Sequence, residues 1–149
     1  MKRIIVSGYF NPLHGGHLDL FEAAAKLGEY LIVVVNNDKQ AVMKKGKIIL
    51  DEQNRLRLVA ALRDVDEAML SIDADPSQTE SLRAIREKYP DDELVFANGG
   101  DRREGLSLPE NEFNMCQQCN IEMVFGVGSH DVEKRDSSTR INQALGHEK

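Results

Sequence analysis

Residues 4–17 read Ile4-Ile5-Val6-Ser7-Gly8-Tyr9-Phe10-Asn11-Pro12-Leu13-His14-Gly15-Gly16-His17, and this order decides the fold. Ile4, Ile5 and Val6 form a short continuous β-branched run, the pattern of a strand buried on both faces. Beyond His17, Leu18, Phe21 and Ala25 recur at helical spacing with Glu22 and Lys26 on the other side, so a helix follows, with Gly28 as its C′ stop. At the start of that helix the backbone N–H groups lack intrahelical partners and the dipole is positive, which favours an anion. Gly15 and Gly16 let a ligand approach the backbone closely. His14 and His17 bracket the same place, each able to donate a hydrogen bond to a phosphate. On their own, two histidines three apart also fit a metal pair or two ordinary surface imidazoles. The rest of the chain decides between these readings.

With 149 residues, 41% of them apolar and 30% charged, the composition suits one soluble globular domain over 1–149. A formal net charge of -6 argues against a general nucleic-acid binder. It leaves room for a small anionic ligand in a pocket lined by local Lys and Arg. The apolar run after Met1-Lys2-Arg3 is too short for a signal peptide and no stretch approaches a membrane span, so a cytoplasmic protein with no membrane partner is expected. Cys116 and Cys119 form a C-x-x-C with no second pair to complete a zinc site. In a helix opened by Pro109 they share a face with Phe113, which reads as small buried apolar groups rather than redox or metal chemistry.

Strand and helix signals alternate along the chain. Residues 30–35, 68–72, 94–97 and 121–125 read as further strands, the first of them strongest. Residues 39–51, carrying Lys39, Lys44, Lys45, Gly46 and Lys47, read as a mobile loop or frayed helix. In the helix over 52–63, Leu56, Val59, Ala60 and Leu62 face the core and leave Arg55 and Arg63 free to point elsewhere. Asp75-Pro76 opens a helix that Pro90 stops, and a last helix begins near Asp136-Ser137. This alternation predicts an α/β, Rossmann-like fold: a parallel five-stranded sheet with helices on both faces. Ligands of such sheets bind beyond the carboxyl ends of the strands, near a topological switch point. That edge would gather His14 to His17, Gly99-Gly100-Asp101, and residues 128–139.

Ser137-Ser138-Thr139-Arg140 places hydroxyls and free N–H groups at a helix start, where they either hold polyphosphate oxygens or serve as a plain N-cap. Lys134 and Arg140 add charge. Asp101 reads either as a turn residue or as a carboxylate for a ribose hydroxyl, a base edge or a metal-bound water.

Together, GYFNPLHGGH (8–17) and SSTRI (137–141) resemble the paired end motifs of the cytidylyltransferase-like nucleotidyltransferase superfamily. Within it, the chain is most similar to glycerol-3-phosphate cytidylyltransferases and to the heptose 1-phosphate adenylyltransferase domain. Segments 33–40, 51–70 and 96–102 fall where those families have their second strand, Arg-bearing helix and fourth-strand turn. The resemblance implies transfer of a nucleotidyl group from a nucleoside triphosphate to a phosphorylated small molecule such as a polyol or sugar phosphate, with release of pyrophosphate. It implies that His14, His17 and Lys44 are catalytic and that Lys45 and Arg55 bind the acceptor. Gly8, Tyr9, Phe10, Asn11, Gly16, Asp101, Ser137, Ser138, Thr139 and Arg140 would bind the nucleotide. It implies Mg2+ bridging the phosphates, and a homodimer. CMP transfer from CTP is favoured; the alternatives are ATP-dependent adenylyl transfer and a non-catalytic nucleotide-binding regulatory domain. The chain departs from the pattern in three places. Asn11 stands where the cytidylyltransferases usually have Asp. Residues 134–139 lack the family's Gly, leaving Arg135 and Arg140 both open as the phosphate ligand. Leu106 to Gln118 replaces an aromatic-bearing segment that shapes the acceptor pocket.

Overall fold

The computed structural model describes residues 1–99 and 110–128. Gly100, Asp101, Pro109, Lys134, Arg135 and Ser137 to Arg140 therefore lie outside the described residues. Within them run β1 (Lys2–Gly8), α1 (Gly15–Ala25), β2 (Tyr30–Val35), α2 (Asp38–Lys45), α3 (Glu52–Ala60), β3 (Glu67–Leu70), α4 (Thr79–Lys88), β4 (Glu93–Gly99), α5 (Glu110–Gln118) and β5 (Ile121–Val127). The strands form one parallel sheet in the order β3-β2-β1-β4-β5. The chain steps from β1 to β2 and β3 on one side, then returns to place β4 on the other. The switch point is therefore the carboxyl end of β1 and β4, where the histidine turn emerges.

Strand side chains alternate between two cores, which is why the strands read as unbroken apolar runs. Ile4, Val6, Leu31, Val33, Val35, Val95 and Ala97 pack against Phe21 and Ala24 of α1 and Val59 of α3. Ile5, Ile32, Val34, Leu94 and Phe96 meet Leu82 and Ile85 of α4 and Met115 and Cys116 of α5. No helix among the described residues is long and apolar enough to cross a membrane.

Two local expectations change, and one left open is decided. Gly28 is not a left-handed C′ stop, for α1 closes at Lys26 in right-handed geometry. A Cβ at Gly28 would lie 2.8 Å from the Lys2 carbonyl oxygen, so close passage past β1 requires the glycine. Of the two readings given to 39–51, loop or frayed helix, residues 38–45 take the helical one. Asn37 and Gln40 cap it reciprocally, and Gly46 ends it at φ 76. The helix expected at Asp75-Pro76 starts later, at Thr79. Asp75 instead accepts hydrogen bonds from the Ser77 amide and hydroxyl. Asp73 caps α4 from outside, accepting from the amides of Glu80 (2.6 Å) and Ser81 (3.1 Å).

At the amino edge of the sheet, Glu67 accepts from the hydroxyls of Tyr30 and Tyr89 and pairs with Lys88 Nζ at 2.8 Å. The Arg3 guanidinium stacks over both tyrosine rings, 4.3 and 3.7 Å from their centroids. Burial pushes the Glu67 carboxyl up, but the hydrogen bonds from Lys88, Tyr89 and Tyr30 outweigh it and hold the group below the usual glutamate range. The stability it contributes is present above the ordinary carboxylate pKa and is lost as pH falls through the lowered folded value. Urea unfolding should show Glu67→Gln less stable than wild type by about 1 kcal/mol at pH 7. That gap should close in acid, where the wild-type carboxyl is protonated; a gap independent of pH would contradict the assignment.

Candidate functional site

The turn from β1 into α1 is built from its own side chains. Phe10 has φ 53, a left-handed conformation that costs an L-residue about 1–2 kcal/mol. Its ring is 2% exposed, packing edge-on to Phe21 (5.4 Å) and to His17 (4.9 Å). A Cβ at Gly8 would lie 2.7 Å from that ring, so Gly8 is required by Phe10. Of these two residues, both expected to bind nucleotide, Phe10 packs against His17 and Gly8 makes room for the Phe10 ring.

His14 is the N-cap of α1 and takes a role more often played by Ser or Thr. Its Nδ1 accepts from the Gly16 amide at 3.1 Å, and His17 Nδ1 accepts from the His14 amide at 3.1 Å. The Gly16 N–H is thus occupied by the cap. The rings stack with centroids 3.8 Å apart. Since each Nδ1 accepts, each neutral ring carries its proton on Nε2, the atom able to donate to a phosphate oxygen. The helix dipole adds a favourable field for an anion at this end. On the far side, a Cβ at Gly128 would lie 2.9 Å from Leu20 Cα, so the end of β5 passes directly against α1.

Arg55 is not presented to a ligand. Its side chain is 0% exposed. Nη1 donates to the carbonyls of Tyr9 (2.7 Å) and Asn36 (2.6 Å), Nε to that of Leu50 (2.9 Å), and Nη2 to Asp38 Oδ1 (2.7 Å). Four of the five guanidinium N–H groups are committed to the fold. The expectation of an acceptor-binding Arg55 is corrected accordingly: it bolts together the ends of β1 and β2, α2 and the segment before α3. Tyr9 contributes its carbonyl to that bolt. Asn11, expected to bind nucleotide, is 5% exposed and turned toward residues 47–50. Lys44 is exposed on α2, and Lys45 follows it at the end of the helix.

Other buried or half-buried polar side chains at this edge were not singled out from sequence. Asn37 Nδ2 donates to the carbonyls of Ser71 and Asp73, and Gln40 Nε2 to those of Asp75 and Ser77. Gln78 bridges Asn36 and Glu112, donating from Nε2 to one and from its amide to the other. Among the described residues only Gln78 Oε1 is a buried side-chain polar atom lacking a hydrogen bond, so the network reads as a brace rather than a ligand cradle. The Asn-x-x-Gln spacing of 37–40 was the available signal, since it is a capping pattern. Cys116 is buried, and burial, with Glu112 and Cys119 adding to it, pushes its thiol up to about 12. It holds no thiolate at neutral pH, consistent with a packing role.

The family model described as Cytidylyltransferase-like matches residues 5–144. The chain belongs to this family. Among curated members, a protein named FAD synthase from Picrophilus torridus is 39% identical over 137 residues, 91% of this chain and 91% of that one. Another of that name, from Ferroglobus placidus, is 44% identical over 75 residues, 50% of this chain and 49% of its own length. The chain thus spans from 49% to 91% of the length of curated relatives it matches. A solved Thermoplasma volcanium structure, described as a lipopolysaccharide core biosynthesis protein, superposes with a TM-score of 0.65 at 30% identity. It covers 88% of this chain and 99% of that one. This cytidylyltransferase-like chain therefore has a nucleotidyltransferase-type architecture.

Arg55→Lys tests the structural assignment. It keeps the charge but cannot reach four acceptors at once, so thermal or urea unfolding should show a loss of about 3 kcal/mol. Unchanged stability combined with a raised acceptor KM would restore the ligand-binding role.

Proposed function

We propose that this chain is an adenylyltransferase that moves AMP from ATP onto the phosphate of a phosphomonoester, with FMN as the acceptor, yielding FAD and pyrophosphate. The observation that carries it is the stacked His14–His17 pair on the first turn of α1, at the sheet's switch point. The FAD synthase names of the relatives support FMN as the acceptor and adenine as the base. An oxygen of the acceptor phosphate attacks the α-phosphorus in line; the bond to the oxygen bridging to the β-phosphorus breaks, and its electron pair leaves with pyrophosphate. No enzyme nucleophile is needed, so positioning and charge stabilisation supply the rate. The Nε2–H groups of His14 and His17 donate to phosphate oxygens as charge develops, and Lys44 and Lys45 add positive charge. Among the described residues no group of three or more His, Cys, Asp or Glu is placed to hold a metal. Magnesium, carried by the nucleotide, would neutralise phosphate charge during the transfer.

The likeness to the lipopolysaccharide core biosynthesis protein favours a second reading, with a sugar phosphate as acceptor. A pyrophosphate-release assay crossing ATP and CTP with FMN, glycerol 3-phosphate and heptose 1-phosphate separates them. ATP with FMN should give the highest turnover, with FAD as the co-product. Release only with CTP and a polyol phosphate would reverse the assignment. His17→Ala should lower kcat about 100-fold or more; full turnover in that variant would refute the mechanism for any acceptor.

A further inference from the structure

Asn11 lies three residues before His14, yet its side chain serves a segment almost forty positions away. Oδ1 accepts from the amides of Ile49 (2.8 Å) and Leu50 (3.0 Å), while Nδ2 donates to the Lys47 carbonyl (3.3 Å). These contacts fix the amide's orientation, because exchanging O and N would set an NH2 group against two N–H donors. The segment it grips, between α2 and α3, has little packing of its own: Lys47 is exposed, and Ile48 and Ile49 are 39% and 36% exposed. Gly46 turns the chain in left-handed geometry just after Lys44 and Lys45. Arg55 holds only the far end, at the Leu50 carbonyl.

We propose that Asn11 is a positioning residue that ties the lysine-bearing segment 44–50 to the histidine turn, so that the lysines and both imidazoles address the same triphosphate. This rests on the nucleotidyl-transfer reading above. It also gives a physical reason for Asn where similar cytidylyltransferases have Asp. A carboxylate would accept the two amides but would face the Lys47 carbonyl with a lone pair instead of a donor. Asn alone among side chains of this size accepts twice and donates once here.

Limited trypsin digestion tests this under native conditions, since cleavage after Lys44 or Lys47 reports release of the segment. Asn11→Ala should be cut within 44–47 about tenfold faster than wild type, with Asn11→Asp intermediate. Melting curves confirm that each variant remains folded. ATP with Mg2+ should slow this cleavage in the wild type and fail to do so in Asn11→Ala, and the KM for ATP should rise in the same order as cleavage. Loss of activity with unchanged cleavage would overturn the proposal, because Asn11 would then act on substrate directly. Faster cleavage with an unchanged KM, or no ATP protection of the wild type, would overturn it by removing the segment from the nucleotide site. A wild type protected by ATP but inactive with FMN refutes the acceptor assignment alone, and the protection data still decide the role of Asn11.

Discussion

A guanidinium with no exposure to water must find its partners inside the protein, and this demand organises the carboxyl edge of the sheet. Leaving such a charge unpaired would cost several kcal/mol. Arg55 avoids that by drawing in three carbonyls and a carboxylate from Tyr9, Asn36, Leu50 and Asp38. Those groups belong to the end of β1, the end of β2, the approach to α3 and the first turn of α2. Strand ends and helix starts that would otherwise need separate anchoring share one.

A division of labour follows at the site. Polar side chains at this edge are spent largely on backbone: Arg55 on strand ends, Asn11 on the segment after α2, Asn37 and Gln40 on residues 71–77, Asp73 on the start of α4. The two imidazoles also engage backbone, each accepting at Nδ1. That leaves each ring oriented and in the tautomer whose remaining nitrogen is a donor. Phe10 beneath His17 fixes the height of the pair above the sheet. Rigid support of this kind is what transition-state stabilisation requires, since donors already in place need no reorganisation as charge develops.

The fold was legible because buried parallel strands leave continuous apolar runs, and 4–6, 30–35 and 94–97 all carry them. The histidine turn was legible because strand, glycines, imidazoles and helix follow one another locally. Arg55 was misread for a physical reason. At i, with Val59 at i+4 and Leu62 at i+7, it lies on the apolar stripe of its helix, but its charge suggested the opposite face. Only the tertiary arrangement shows carbonyls converging there to receive it. Gly8 and Gly28 were similar: sequence marks the glycine, whereas the atoms that forbid a Cβ come from Phe10 in one case and from β1 in the other. Asn11 could not be read at all without the contact to residues 47–50.

The central claim is that His14 and His17, held through Nδ1, present Nε2–H donors to a nucleotide phosphate. Long-range 1H–15N NMR of the imidazoles measures this directly, because it reports which nitrogen of each ring is protonated. In the free protein the neutral form of each ring should appear as the Nε2–H tautomer. Both Nε2 resonances should move on adding a non-hydrolysable ATP analogue with Mg2+, with the tautomer unchanged. An Nδ1–H tautomer for either ring, or imidazole signals indifferent to bound nucleotide, would contradict the account.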